Sequence, residues 1–228
     1  MLKRIIKSIT PKASLPSFLP LQSKAFSSRA RNDLTNSFKN EIDYEEKEYK
    51  PISEEEKKVF FKNSGFEYID SPTSSRMELK RTVGDFNVSV VYNARAPMPQ
   101  DDEAQKQKEE QEPTNLTDCT VIIQKIGKSS GFLVDAMVVD GNFNVNHVYV
   151  SDNVQEFHSK LVGGRTDPDV YQGPEFSTLD ESLQTSFTDF LEELGINDEA
   201  AAFVEVTAID KDQSLYINWL KTCKNNLI

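Results

Sequence analysis

The chain is poor in the residues that most often carry chemistry. Its 228 residues include two cysteines, two histidines and one tryptophan. Cys119 and Cys223 show no CxxC spacing and have no histidine pair near them, so neither a disulfide framework nor a structural zinc site is indicated. His147 lies in an alternating apolar stretch and His158 in a polar one, with no nucleophile or carboxylate marked by spacing. A structural role is expected for both. No apolar run reaches the roughly 18 residues of a membrane span. Gly127-Lys128-Ser129 echoes the end of a phosphate loop, but position 122 is isoleucine where that loop requires glycine. No DxDxDG pattern is present to build a calcium loop. We therefore expect no catalytic residues, no cofactor and no built metal site.

Charge is the property in surplus, and it is unevenly spread. The first 31 residues hold Lys3, Arg4, Lys7, Lys12, Lys24, Arg29 and Arg31, six serines and no acid, with Leu2, Ile5, Ile6 and Ile9 at helical spacing. This is the composition of a mitochondrial transit peptide, and we expect residues 1–31 to act as one, with cleavage between Phe26 and Asn32. Residues 32–228 keep 19 basic residues against 37 acidic ones, a formal charge of −18. They form one domain of ordinary size, destined for the mitochondrial matrix.

Hydrophobic periodicity divides that domain into three blocks. Residues 33–49 place Leu34, Phe38, Ile42 and Tyr49 along one stripe, an amphipathic helix that Pro51 ends. From Phe66 to Val150 the period becomes two, clearest in Phe86, Val88, Val90 and Tyr92. Short connectors with turn residues, among them Asp140-Gly141, force neighbouring strands to pair antiparallel in a meander of about six or seven strands. Residues 96–115 differ, with three prolines and six acids against two lysines, and read as a mobile acidic loop leaving the sheet. The last block opens with Thr178 and Glu181 spaced as a capping box. Leu179, Leu183, Phe187, Phe190, Leu191 and Leu194 then repeat at helical spacing until Gly195. Further helical stretches are expected at 198–209 and around Leu215, Trp219, Leu220 and Cys223. The fold class is thus α+β: an antiparallel sheet with one N-terminal and two or three C-terminal helices, whose apolar stripes need the sheet as partner.

Between Thr166 and Asp210 stand twelve acids and no Lys or Arg. A solvated helix usually mixes signs, so an unmixed stretch attracts cations at the cost of self-repulsion. Candidate partner-binding carboxylates are Asp180, Glu181, Asp189, Glu192, Glu193, Asp198 and Glu199 on the helices. Asp101, Asp102, Glu103, Glu109 and Glu110 on the loop join them. The surface has the wrong sign to hold phosphates, so direct nucleic-acid binding is disfavoured. Basic proteins are the partners such a surface suits.

The closing block also carries a family pattern: Tyr171, Gly173, Pro174, Phe176, Leu179, Asp180, Glu181, Leu183, Gln184, Phe187, Phe190, Leu191, Glu192, Gly195 and Ile196, followed by Tyr216, Trp219 and Leu220. It resembles the mitochondrial acidic matrix protein family, also called the mitochondrial glycoprotein family, which includes the complement component Q-subcomponent-binding protein. The resemblance covers residues 33–227. It implies a doughnut-shaped homotrimer, or a heterotrimer with paralogues, with the sheet lining a channel and the helices wrapped around it. It further implies a non-enzymatic scaffold or chaperone supporting mitochondrial translation, ribosome biogenesis or respiratory-complex maintenance. The other function weighed is a permanent subunit of a large respiratory or ribosomal assembly. Where some relatives carry a long acidic insertion between the fifth and sixth strands, this chain has only Asp140-Gly141-Asn142.

Overall fold

The computed structural model describes residues 28–95, 116–162, 171 and 173–227. Helix α1 spans Ser28–Glu48 and α2 spans Glu54–Ser64. Six strands follow: β1 (Glu67–Asp70), β2 (Arg76–Val83), β3 (Phe86–Asn93), β4 (Leu116–Lys125), β5 (Gly131–Val139) and β6 (Asn142–Ser151). Helix α3 (Val154–Val162), a 3₁₀ turn (Phe176–Thr178), α4 (Glu181–Glu193) and α5 (Asp198–Asn225) complete the chain. The expected transit peptide, apart from Ser28–Arg31, and the acidic loop at 96–115 lie outside the described residues.

The strands form one antiparallel sheet in the order β1-β2-β3-β4-β5-β6. Each connection links neighbours, and all but the one from β3 to β4 are short. The β5–β6 turn has Asp140 and Gly141 at φ 49° and 73°, the paired left-handed backbone of a two-residue hairpin. Six strands are seen among the described residues, at the lower edge of the six or seven expected.

Strand alternation assigns the two faces. On one, Met77, Tyr92, Cys119 and Ala136 stand in register, and beside them Leu79, Val90, Val121 and Val134. All eight are nearly inaccessible to solvent. They meet Leu191, Leu194 and Ile196 from the α4–α5 elbow and Ala201, Val204 and Ala208 from α5. Within this layer the Tyr92 hydroxyl bonds Thr207 Oγ1 at 2.8 Å, and Thr207 Oγ1 donates to the Phe203 carbonyl at 2.6 Å, so both buried hydroxyls are satisfied. An aromatic cluster closes the β1 end, with Phe203 stacked on Phe60 at 4.0 Å and edge-on to Phe61 and Tyr68. The other face is covered lightly: Val91, Ile122 and Leu133 receive Val154 and Phe157 from α3. There the His158 Nε2 approaches the buried Glu78 carboxylate at 2.8 Å, and Lys80 reaches the same carboxylate at 3.3 Å.

Three helical boundaries differ from the sequence expectation. Helices α2 and α3 were not expected as helices; α2 begins at Ser53, whose hydroxyl accepts from Glu56 N while Glu56 reaches back to Ser53 N, a complete capping box. The box expected at Thr178 and Glu181 does not form. Thr178 donates to the Glu175 carbonyl inside the 3₁₀ turn, and Asp180 caps α4 by accepting from Ser182 N at 3.0 Å. The two stretches expected at 198–209 and beyond Leu215 are one 28-residue helix. Its first half lies on the sheet and its second half on α1, so the apolar stripe changes partner at the polar run Asp210-Lys-Asp-Gln-Ser214 without a helix breaker.

Candidate functional site

Helices α4 and α5 meet in a tight elbow whose apolar side fixes the position of its acids. Leu191, Leu194 and Ile196 are buried against the sheet. Gly195 sits between them at φ 85°, a left-handed backbone that favours glycine, with the Arg81 guanidinium close by. Asn197 then caps α5 by accepting from Ala200 N at 3.1 Å. The elbow therefore carries Glu192 and Glu193 at the end of one helix and Asp198 and Glu199 at the start of the next.

All seven helical candidates, Asp180, Glu181, Asp189, Glu192, Glu193, Asp198 and Glu199, are solvent-exposed. Among the described residues none of them pairs with a cation. Asp180 is the one with a structural task, since Ser182 donates to it from both its backbone and its hydroxyl and holds its carboxyl below the usual aspartate range. Asp198 and Glu199 face the positive end of the α5 dipole, where carboxylates are favoured. Glu192 and Glu193 stand in the last turn of α4, where the dipole disfavours them and no basic residue compensates. Their charge costs the fold stability and returns no contact. The loop candidates Asp101, Asp102, Glu103, Glu109 and Glu110 lie outside the described residues.

Acids elsewhere are built into the structure. Lys221 pairs with Glu46 at 2.7 Å across α1 and α5, and Tyr216 donates to Glu41 at 3.2 Å. Lys211, whose side chain is 7% exposed, binds Asp70 at 2.7 Å and the Ser71 carbonyl at 2.7 Å. The Tyr49 hydroxyl donates to Asp210 at 2.8 Å, and burial followed by that carboxylate pushes its pKa far above normal. The sequence pattern did not separate these working acids from the unpaired ones, because their partners are distant in the chain. Only the spacing of Lys211 and Lys221 behind the acid-only stretch hinted at the division.

The histidines occupy structural positions: His147 Nδ1 lies 3.3 Å from the Pro174 carbonyl, and His158 bridges α3 to Glu78. Trp219 is 55% exposed, with its ring edge-on to Phe38 and stacked on Tyr216. Leu183 of the α4 stripe is exposed as well. Cys119 is buried and Cys223 half-buried, both as free thiols. Among the described residues no three His, Cys, Asp or Glu side chains converge as a metal site would need, and no helix is long and apolar enough to cross a membrane.

A meander sheet backed by acidic helices, with an unpaired carboxylate elbow, defines an acidic α+β protein of a recognisable class. Residues 38–227 match the model of the mitochondrial glycoprotein family, and the chain belongs to that family. It is 26% identical over 218 residues to the mitochondrial acidic protein mam33 of Schizosaccharomyces pombe, covering 86% of this chain and 78% of that one. Two solved structures share the fold at 17% identity. One is a Leishmania major protein of unknown function, described as a sequence homologue of human p32, with a TM-score of 0.66 over 87% of this chain and 99% of that one. The other is the Trypanosoma brucei p22 protein, with a TM-score of 0.64 over 88% and 100%. Family membership agrees with the mitochondrial address read from the basic leader.

Proposed function

We propose that this protein is a non-enzymatic scaffold of the mitochondrial matrix that holds basic proteins on the carboxylates of its α4–α5 elbow. The observation that carries the reading is the exposure of Glu192 and Glu193 at a helix C-terminus, unpaired and against the dipole. Charge kept at a cost to the fold needs a use outside it. The name of the fission-yeast relative and the −18 charge of residues 32–228 support the same reading. A homotrimer would present three such elbows, and several weak contacts on one particle gain from effective concentration. Field strength rather than shape then sets affinity, so binding weakens steeply with salt. Basic clients engaged in translation, ribosome assembly or respiratory-complex maintenance fit this chemistry.

The test is salt-graded recovery of partners on the tagged full-length protein expressed in mitochondria. The expected result is release of high-pI proteins at modest salt, from a particle of three leader-free chains, below three times 25.8 kDa. Replacing Glu192, Glu193, Asp198 and Glu199 by their amides should abolish most of that recovery. Exclusive recovery in a megadalton particle that ignores salt would identify a fixed structural subunit instead.

A further inference from the structure

A second surface, adjoining the elbow at Glu199, combines apolar area with the same sign of charge. Where the chain passes from α1 to α2 it crosses α5, leaving two adjoining hollows of about 480 and 620 Å³ that share Lys50, Ile52 and Val206. The floor of this continuous groove is apolar, and its side chains are unusually open: Tyr44 is 62% exposed, Val59 60% and Val206 51%. Its margins carry five carboxylates, Glu45, Glu48, Glu56, Glu199 and Asp210, against the single ammonium of Lys50. Some of these acids are occupied internally: Asp210 by Tyr49 and the Ile52 amide, Glu45 by Gln213, Glu56 by its cap at Ser53. Glu48 and Glu199 have no such partner among the described residues.

An apolar floor between acidic walls is complementary to one kind of object, a short helix with an apolar stripe and basic flanks. Its stripe would cover Val59, Ile52 and Val206, as helix-in-groove recognition does elsewhere, and its lysines or arginines would lie along Glu48 and Glu199. A second copy of this chain suits the groove less well, because its exposed helices would bring acids to it: α4 carries Glu181, Asp189, Glu192 and Glu193 and no basic residue. We infer that the α1–α2/α5 groove is a docking site for a basic amphipathic helix of a partner protein. The inference rests on the proposed preference for basic partners but assigns it a second, shape-selective surface.

The experiment uses the full-length protein and two fluorescent peptides of identical composition, lysine and leucine only. In one the leucines recur at helical spacing; in the other the order is permuted so that no stripe forms. The amphipathic peptide should bind about tenfold more tightly by anisotropy, the difference that covering a few exposed apolar side chains supplies. The double variant Val59→Ser/Val206→Ser, at positions more than half exposed and therefore harmless to folding, should erase that advantage and leave the permuted peptide unchanged. Amide replacement of Glu192 and Glu193 should weaken both peptides alike. Equal binding of the two peptides by the wild type, with both responding only to the elbow variant, overturns the groove and leaves the scaffold reading standing. Binding of neither peptide overturns both. A fall in particle mass on Val59→Ser/Val206→Ser would show that a second copy covers the groove and overturns the docking site.

Discussion

The two halves of α5 treat acidic side chains in opposite ways. At its start and across the elbow into α4, Glu192, Glu193, Asp198 and Glu199 point to water without a cation. From Asp210 onward the neighbouring acids are used: Asp210 holds Tyr49, Lys211 holds Asp70, and Lys221 holds Glu46. The composition is similar and the helix is the same. What differs is the partner, since the first half lies on an apolar sheet that uses one acid, Glu205, as acceptor for Gly141 N at 2.9 Å, whereas the second half must fasten α1 and the β1–β2 turn. An acid that secures the fold is not free to bind, and an acid that binds need not secure the fold.

That contrast can be broken by substitution. The largest effect is expected in the sheet-side half: Phe203→Ala removes the ring stacked on Phe60 and should cost about 3 kcal/mol in urea unfolding. Binding per folded molecule should not change. Next, Lys211→Met strands Asp70 and the Ser71 carbonyl and should cost about 2 kcal/mol, again without loss of basic partners. Asp210→Ala frees the Tyr49 hydroxyl and the Ile52 amide and should lower stability by about 1 kcal/mol. A smaller effect is expected at Asp180, which sharpens the contrast because it is the elbow-side acid with a structural task. Its carboxyl pKa is lowered by the Ser182 donors, so the folded state favours the ionised form. Its contribution is complete above the unfolded aspartate pKa of about 3.8 and is lost as pH falls through the lower folded value. Asp180→Asn keeps a cap without a titrating group, and its melting temperature should fall less between pH 5 and about pH 2 than that of the wild type. An equal fall would mean that the cap does not govern α4.

Much of the sheet was legible because alternation and turn chemistry agree there. Phe86, Val88, Val90 and Tyr92 fix one strand, and Asp140-Gly141 fixes a hairpin. The α1 stripe was equally plain, although the helix starts at Ser28, ahead of the expected Asp33. The signal for α2 was present in Ser53 and Glu56 but hidden in a run of charges, and the residues it buries, Phe60 above all, sit at its far end. The chain from Val154 to Val162 has a helical stripe on a scale too short to stand out, and the sheet face that it covers is itself small. At the α4 start, two residues could serve as cap, and the 3₁₀ turn took Thr178 for its own hydrogen bond. The seven helical candidate acids are exposed. The separation of the chain's acids into paired and unpaired sets was not legible, because pairing with Lys211, Lys221 and Tyr49 spans more than a hundred positions.

The most direct measurement is the affinity of one basic protein, such as a purified high-pI ribosomal protein, for two variants of the full-length chain at rising salt. One variant carries Glu192→Gln, Glu193→Gln, Asp198→Asn and Glu199→Gln; the other carries Glu41→Gln and Glu46→Gln on the fastened half. The account predicts that the elbow variant loses at least about tenfold in affinity at low salt and most of its salt dependence, with its melting temperature nearly unchanged because the dipole terms of the two acid pairs offset. The second variant should bind nearly as the wild type does and melt lower. Equal loss of binding in both, or none in the elbow variant, would contradict it.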